Sequence, residues 1–335
     1  MAGKYLYGVV KNKTAPGGFP AGIAHEGLEL YTVPYRDIAC VVSDSNGPAV
    51  NLSQGIEQGA VLQRLARHQT AVESIMLKQG TVIPIKFETV LNDDEEVEKA
   101  LIAGYSEFSK RLDTFDGKAE VDVTARWASL GGILKKIGEE DEEIRRLKGE
   151  LAGMAFDKTV DERVKIGFMV KKALDRRRNE AADVILERLR RVSFDSKPHD
   201  CANDDVILIC AFLVDRDKES VFHDALERLN EGFKEEVRFR CVSPLPPYAF
   251  AAMAVEKIGR GDVEKAREIL GLGADATADT IREAFRRKAL ESHPDKKAAD
   301  RGSSADFEET RKAYVMLKNC SFAAGDFFYV HEITT

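Results

Sequence analysis

The feature that most constrains the fold of this chain is an uninterrupted run of nine apolar residues, Val206–Val214, with charged residues on both sides. A helix that crosses a membrane needs roughly 20 apolar residues, so the run is far too short for that role. A strand in the middle of a sheet is buried on both faces and is expected to be apolar throughout. We predict that Val206–Val214 is the central strand of a sheet and that the chain has no membrane span.

The 335 residues exceed the size of one ordinary core, and the balance of 44% hydrophobic and 32% charged residues is that of a globular protein. Residues 1–128 are predicted to form an N-terminal α/β sheet domain. Strand patterns fall at 4–10, 27–44, 81–90 and 118–127, and helical patterns fall at 54–79 and 93–115.

Residues 129–158 carry Glu, Arg and Lys one helical turn apart, which is typical of an exposed helical connector. A second domain is predicted over residues 159–255, with a long helix at 160–191 before the central strand. Arg176–Arg178 and Arg190-Arg191 on that helix offer a possible binding stripe. Interleaved acidic residues favour a solvated helix face instead.

Residues 262–320 have a different character and predict three short helices. The first ends at Gly271 or Gly273, and the second begins after Thr277, a residue type that caps helices well. The second helix must end at His293-Pro294, because proline disfavours helical geometry in the residue before it. The third helix contains residues 307–319.

The order of these features resembles the J domain of DnaJ-type co-chaperones. An Ile-Leu-Gly-Leu helix end is followed by Ile-Arg-x-Ala-Phe-Arg-Arg, then His-Pro-Asp, then a helix with Ala-Tyr-x-x-Leu. In that family the tripeptide and the basic face of the second helix engage a DnaK-type ATPase and trigger ATP hydrolysis. The resemblance implies six chaperone-docking residues: His293, Pro294, Asp295, Arg282, Arg286 and Arg287. Lys288 and Ser292 depart from a leucine and a tyrosine of the family pattern.

The tail, residues 321–335, is predicted to be strand-like, because residues 325–333 alternate between apolar and polar positions like a strand with one buried face. The neighbouring helices offer it no sheet. We therefore expect residues 326–333 to return to a sheet edge within residues 1–255, which would make the J domain an insertion-like module.

Three segments of residues 1–255 carry a second resemblance: the opening YLYGVV with the later DIACVVSD, the central TVIPIKFETV, and the closing SPLPPYAF. In this order and spacing they resemble the gas-vesicle accessory proteins F and L. Glu88, Ser243 and Leu245 replace a glycine, a glycine and a tryptophan of the family segments. The resemblance implies an α+β protein in which a ferredoxin-like second domain follows the N-terminal domain, and the small all-α J domain is added to both.

Together the two resemblances imply a gas vesicle assembly factor that is cytoplasmic and associated with gas vesicles. Its expected partners are the hydrophobic shell protein, other gas vesicle accessory proteins and a DnaK-type chaperone ATPase. Three alternatives stay open. One is a minor structural component of the vesicle wall with a vestigial J domain, another is a general DnaJ-like co-chaperone, and the third is an enzyme on a ferredoxin-like scaffold.

The sequence presents no catalytic set, because its six histidines are scattered and it has no Gly-rich phosphate loop. His68 lies on the apolar stripe of its helix and is interpreted as a core or edge histidine. The five cysteines are widely spaced, which argues against a disulfide framework or a zinc site. We expect no catalytic activity, no metal and no cofactor. The net charge of -7 argues against a nucleic-acid partner.

Overall fold

The computed structural model describes residues 3–12, 23–25, 28–45, 58–155, 159–201, 203–291, 302–323 and 326–333. The chain forms two compact units, one that joins residues 1–116 to 246–335 and one that is the continuous segment 117–245. Each unit combines helices with antiparallel strand pairs, which confirms the predicted α+β class. None of the described helices combines the length and apolar character that a membrane crossing requires.

The first unit opens with a six-stranded sheet. Its strands are β1 (Gly3–Lys11), β2 (Ile23–His25), β3 (Leu28–Tyr35), β4 (Ile38–Ser45), β5 (Val82–Pro84) and β6 (Val90–Leu91). Strand β1 is central, since it pairs with β4 on one side and with β5 and β6 on the other. Helix α1 (Gln58–Gln79) packs on this sheet through Val72, Ile75 and Met76. Pro84 ends the edge strand β5, where a missing backbone N–H is tolerated.

Helix α2 (Asp94–Thr114) begins where the acidic cluster predicted a helix start. The Asp93 side chain accepts a hydrogen bond from the Glu96 N–H at 2.9 Å, and the Glu96 carboxylate accepts one from the Asn92 N–H at 2.9 Å. The first bond satisfies an N–H of the first turn that the helix itself leaves unpaired, and the second satisfies the N–H of the residue before the cap. Leu101 and Phe108 are buried on the inner side of α2.

The second unit is a four-stranded sheet with helices packed against it. Its elements in chain order are β7 (Lys118–Trp127), α3 (Leu130–Glu140), α4 (Glu142–Glu150), α5 (Val160–Arg190), β8 (Asp195–His199), β9 (Val206–Asp215), α6 (Glu219–Gly232) and β10 (Val237–Leu245). The sheet order β10-β7-β9-β8 in a β-α-β-β-α-β chain is the ferredoxin-like arrangement that the family resemblance implied. Strand β9 lies between β7 and β8, so the prediction that Val206–Val214 is central is confirmed.

Strand β7 and the helices after it differ from the expectation. We placed residues 118–127 in the first domain and residues 129–158 in an exposed connector, whereas β7 is the first strand of the second sheet. Val121 and Val123 of β7 share one core with Ile133 and Ile144 of α3 and α4. Alternation along a strand reveals one buried face but not which sheet the strand joins, and that is the reason for the error.

The chain then returns to the first unit through the short helix α7 (Tyr248–Ala251) and builds a three-stranded sheet around the J helices. The elements are β11 (Met253–Ile258), α8 (Arg260–Leu270), α9 (Ala278–Glu291), α10 (Gly302–Asn319), β12 (Cys320–Ala323) and β13 (Asp326–Glu332). Strand β13 pairs antiparallel with β11, so the tail does return to a strand before the J helices. Only Met253, Ala254 and Val255 of its partners lie within residues 1–255, and β13 is the middle strand of a separate sheet, so the predicted edge position is wrong. Strand β12, on the other side of β13, was not predicted.

Candidate functional site

Helix α9 carries the three arginines of the candidate docking face. Thr277 and Thr280 hold its first turn together, because the Thr277 N–H donates to Thr280 Oγ1 at 2.8 Å and the Thr280 N–H donates to Thr277 Oγ1 at 3.3 Å. Ile281 and Ala284 face inward and are buried. The positions of Arg282, Arg286 and Arg287 lie off that apolar stripe, and all three side chains are exposed as the sequence pattern predicted.

The J helices share a small apolar core that fixes the orientation of α9 about its own axis. Its buried members are Val263, Ala266, Leu270, Ile281, Ala284, Ala313 and Leu317. Phe285 of α9 also stacks on Tyr314 of α10, with ring centroids 4.2 Å apart and an angle of 15° between the rings. A helix held by both contacts cannot rotate without breaking them, so its arginines keep one direction.

The charges on α9 are only partly neutralised by their own helix. Arg282 Nη1 lies 3.2 Å from Asp279 Oδ1, and the Arg282 side chain remains 54% exposed. An exposed pair at this spacing contributes little to stability.

His293, Pro294 and Asp295 lie outside the described residues. Helix α9 ends at Glu291, two positions before His293. The docking roles of the tripeptide and of the three arginines therefore stay predictions.

Leu290 was missed by the sequence reasoning. It is 61% exposed and lies one turn after Arg286, beside the arginine face. A large apolar side chain exposed next to guanidinium groups is a common composition for a protein-binding surface. The signal was present in the sequence as a leucine four residues after an arginine that the pattern assigns to the surface.

A second cluster of polar side chains surrounds His68 on α1. The Tyr5 hydroxyl lies 3.0 Å from His68 Nδ1 and 3.2 Å from the Glu88 N–H, which donates to it. Burial lowers the pKa of His68 to about 4, and a hydrogen bond to the Ile85 carbonyl only partly opposes this shift. His68 is therefore a neutral, buried histidine, which confirms its interpretation as a core residue. An adjoining cavity of about 170 Å³ is lined by Arg64 and other side chains of this cluster.

One described histidine of the second unit approaches a hydroxyl and a carboxylate together. His223 Nε2 lies 3.1 Å from Ser243 Oγ and 3.6 Å from Glu219 Oε1. In a Ser-His-acid triad the carboxylate holds the opposite ring nitrogen, so this arrangement lacks the geometry of one. Within the described ranges, no group of three or more His, Cys, Asp or Glu side chains is placed to hold a metal ion.

Comparisons with known proteins identify both parts of the chain. The family model described as gas vesicle synthesis protein GvpL/GvpF matches residues 3–252, and the DnaJ domain model matches residues 267–321. Gas vesicle protein L1 of Halobacterium salinarum is 28% identical over 266 residues, which cover 74% of this chain and 90% of the relative. Gas vesicle protein F of a Nostoc species is 24% identical over 257 residues, which cover 76% of this chain and 99% of the relative.

The chaperone likeness is confined to the J region. Chaperone protein DnaJ of Campylobacter hominis is 46% identical over 52 residues, which are 16% of this chain and 14% of that protein.

Solved structures agree on the fold of the remainder. The crystal structure of the gas vesicle protein GvpF from an Anabaena species aligns with a TM-score of 0.63 at 21% identity, and covers 75% of this chain and 98% of its own. GvpF from Microcystis aeruginosa aligns with a TM-score of 0.58 at 19% identity, over 75% and 99% of the two chains. The family match spans most of the chain, and the protein therefore belongs to the GvpL/GvpF family of gas vesicle synthesis proteins and carries a DnaJ domain after the family region.

Proposed function

We propose that this protein is a gas vesicle assembly factor that binds the hydrophobic shell protein and recruits a DnaK-type ATPase to it through the J domain. Other gas vesicle accessory proteins are further proposed partners. The proposal places the protein in the cytoplasm in association with gas vesicles, and it assigns the chain no catalytic activity of its own.

The observation that carries this proposal is the presence, in one chain, of an F/L-type body and a J domain with an exposed arginine face. Guanidinium groups suit an acidic partner surface, because each presents several donors in a fixed plane. Such charges contribute to the association rate and to orientation more than to affinity. Docking by α9 and triggering by the His293 tripeptide are thus separable steps.

A hydrophobic shell subunit is a suitable client for the recruited ATPase. Unassembled subunits with exposed apolar surface or unpaired strand edges aggregate readily. A body that holds the subunit while a chaperone acts on it would keep it soluble until it joins the wall.

The experiment that tests the proposal measures single-turnover ATP hydrolysis by the DnaK-type ATPase of the same cell, with and without this protein. We expect stimulation by the wild-type chain and none by His293→Gln, with unchanged circular dichroism and unchanged binding of the shell protein. His199→Gln, a substitution on β8 in the other unit, is the matched control and should stimulate normally. Absence of stimulation by the wild-type chain would favour the wall component with a vestigial J domain.

A further inference from the structure

The J helices are inserted between two strands of one sheet without a spacer at either end. Strand β11 ends at Ile258 and α8 begins at Arg260, while α10 ends at Asn319 and β12 begins at Cys320. Strand β13 pairs with both flanking strands, since Phe327 lies opposite Ile258 and Tyr329 lies opposite Cys320. Both ends of the helical module therefore enter a single hydrogen-bonded sheet.

The core of the J helices continues into that sheet. Ile258, Cys320 and Phe327, one from each strand, pack against the buried residues of the helices. A module with its own closed core would need no such contacts. The shared core makes rotation of the helices against the sheet costly, because it would expose these apolar side chains to water.

Helix α2 holds the same sheet near both of its ends. Near its start, Glu96 is buried and its carboxylate accepts a hydrogen bond from Lys257 Nζ of β11 at 2.5 Å. Near its end, Arg111 Nη2 donates to Glu332 Oε2 of β13 at 2.6 Å. Burial by itself raises the pKa of the Glu96 carboxyl, but the hydrogen bonds from Lys257 and Asn92 outweigh it and lower the pKa.

The middle of α2 packs closely against β13. Gly104 has no side chain there, and a Cβ built on it would lie 2.9 Å from Val330 Cγ1, which is closer than real atoms pack. Val330 and Phe328 are both buried on this side of the sheet. Glycine thus allows the helix and the strand to approach closely, and the two charge pairs set the direction in which they cross.

From these contacts we infer that the J domain is a fixed part of the first unit and presents α9 in one orientation relative to α2 and the N-terminal sheet. This inference rests on the proposed function for the identity of the partners. A DnaK-type ATPase docked on α9 is then delivered to one place over the first unit, where the shell subunit is held. Glu96, Gly104 and Arg111 are positioning residues for that delivery.

The alternative design, a J domain on a flexible tether, can be built from this chain for comparison. Gly-Ser segments of equal length inserted after Gly259 and before Cys320, combined with Ile258→Ser and Phe327→Ser, separate the helices from the sheet, because they also weaken the apolar contacts that join the two. Such segments behave as random coils. The same insertions placed together at Gly153, in the exposed turn after α4, provide a control of equal length.

Attachment itself is tested by transverse relaxation of backbone amides in the intact chain. Amides of α9 and α2 should report the same tumbling in the wild type and in the Gly153 control. In the tethered variant, α9 amides should relax several-fold more slowly, as in a small independent domain. Independent tumbling of α9 in the wild type would overturn the inference, and this result does not depend on any chaperone activity.

The functional consequence is tested with the same three proteins. The tethered variant should still stimulate the ATPase, because α9 and the tripeptide are unchanged, but the yield of soluble shell protein in a refolding assay should fall to that of a chain lacking residues 262–320. Equal yields from the tethered variant and the wild type would overturn the inference. A wild type without any ATPase stimulation would instead remove the proposed function, while the relaxation measurement would still decide how the J domain is attached.

Discussion

The backbone conformation of Glu88 explains why the gas-vesicle F/L family segments similar to TVIPIKFETV have a glycine at this position. Its φ of 65° lies in the left-handed region, where a residue with a Cβ pays about 1–2 kcal/mol and glycine pays nothing. Two contacts are made by Glu88 in this conformation. The Glu88 N–H donates to the Tyr5 hydroxyl at 3.2 Å, and Arg64 Nη2 lies 3.0 Å from the Glu88 carboxylate, which is only 9% exposed.

His68 makes the stability of the first unit depend on pH. In the folded chain the pKa of His68 is lowered from 6.5 to about 4. Between these two values the unfolded state binds a proton at His68 and the folded state does not. Stability is therefore full above pH 6.5 and falls as the pH drops towards 4, by about 3 kcal/mol in total.

We expect His68→Phe to be less stable than the wild type at pH 7 but to lose less stability between pH 7 and pH 4.5. Denaturant unfolding followed by circular dichroism at several pH values measures both. Parallel pH profiles for His68→Phe and the wild type would contradict the assignment of His68 as a buried neutral group.

Arg286 should act on the association rate of the chaperone. Reversing its charge in Arg286→Glu should slow docking at low salt, because the steering field is weakened, and the remaining rate should depend less on salt. Stopped-flow association with the DnaK-type ATPase at several salt concentrations measures this. Arg176→Glu on α5, another exposed arginine, should leave the rate unchanged. Equal salt slopes for the Arg286 variant and the wild type would argue against electrostatic docking by α9.

At the scale of elements, the contact between α2 and β13 depends on Gly104. Gly104→Ala forces the new Cβ against Val330, and also to within 2.5 Å of Phe108 Cε2. Overpacking of this kind costs about 1–3 kcal/mol, which we expect as a lower melting temperature of the first unit.

Gly167 on α5 provides the matched control for that substitution. A Cβ built there meets nothing within 4 Å, so Gly167→Ala should stabilise its helix by about 0.5–1 kcal/mol. Differential scanning calorimetry compares the two variants. A stable Gly104→Ala protein would mean that α2 and β13 do not pack closely.

The sequence predicted most elements because their local patterns were strong. Asp93 signalled the start of α2, and Val206–Val214 was apolar enough to identify the central strand. Strand β12, Cys320–Ala323, could not be predicted, because four residues that follow a helix directly show no measurable alternation. Strand β7 was recognised as a strand but assigned to the wrong sheet, since partner choice depends on residues far away in the chain.

The candidate site was predictable to a similar extent. Periodicity placed Arg282, Arg286 and Arg287 off the apolar stripe of α9, and they are exposed. The direction in which α9 points was not predictable, because it follows from contacts of β13 and α2 that join distant parts of the chain. Leu290 was overlooked because the residue type alone does not show whether a leucine is buried or exposed.

For the whole molecule, we predict that the surface for the shell protein lies on the N-terminal sheet and its helices and not on the J domain. A chain in which a short Gly-Ser link replaces residues 262–320 should therefore still retain the shell protein in a pull-down. The His293→Gln full-length chain serves as the control for intact binding. Loss of the shell protein from the shortened chain alone would assign the client site to the J domain.

The first unit consists of two separated stretches, 1–116 and 246–335, while the second unit is continuous. On the ribosome the earlier residues emerge first, so the second unit is fully synthesised while the first still lacks its last three strands. The J helices follow, and β13, the strand that anchors them, comes after all of them. A nascent chain thus passes through a stage in which the J helices have left the ribosome but cannot yet be held in place. During translation the J helices are therefore held loosely at first, and they become oriented only after β13 has been synthesised.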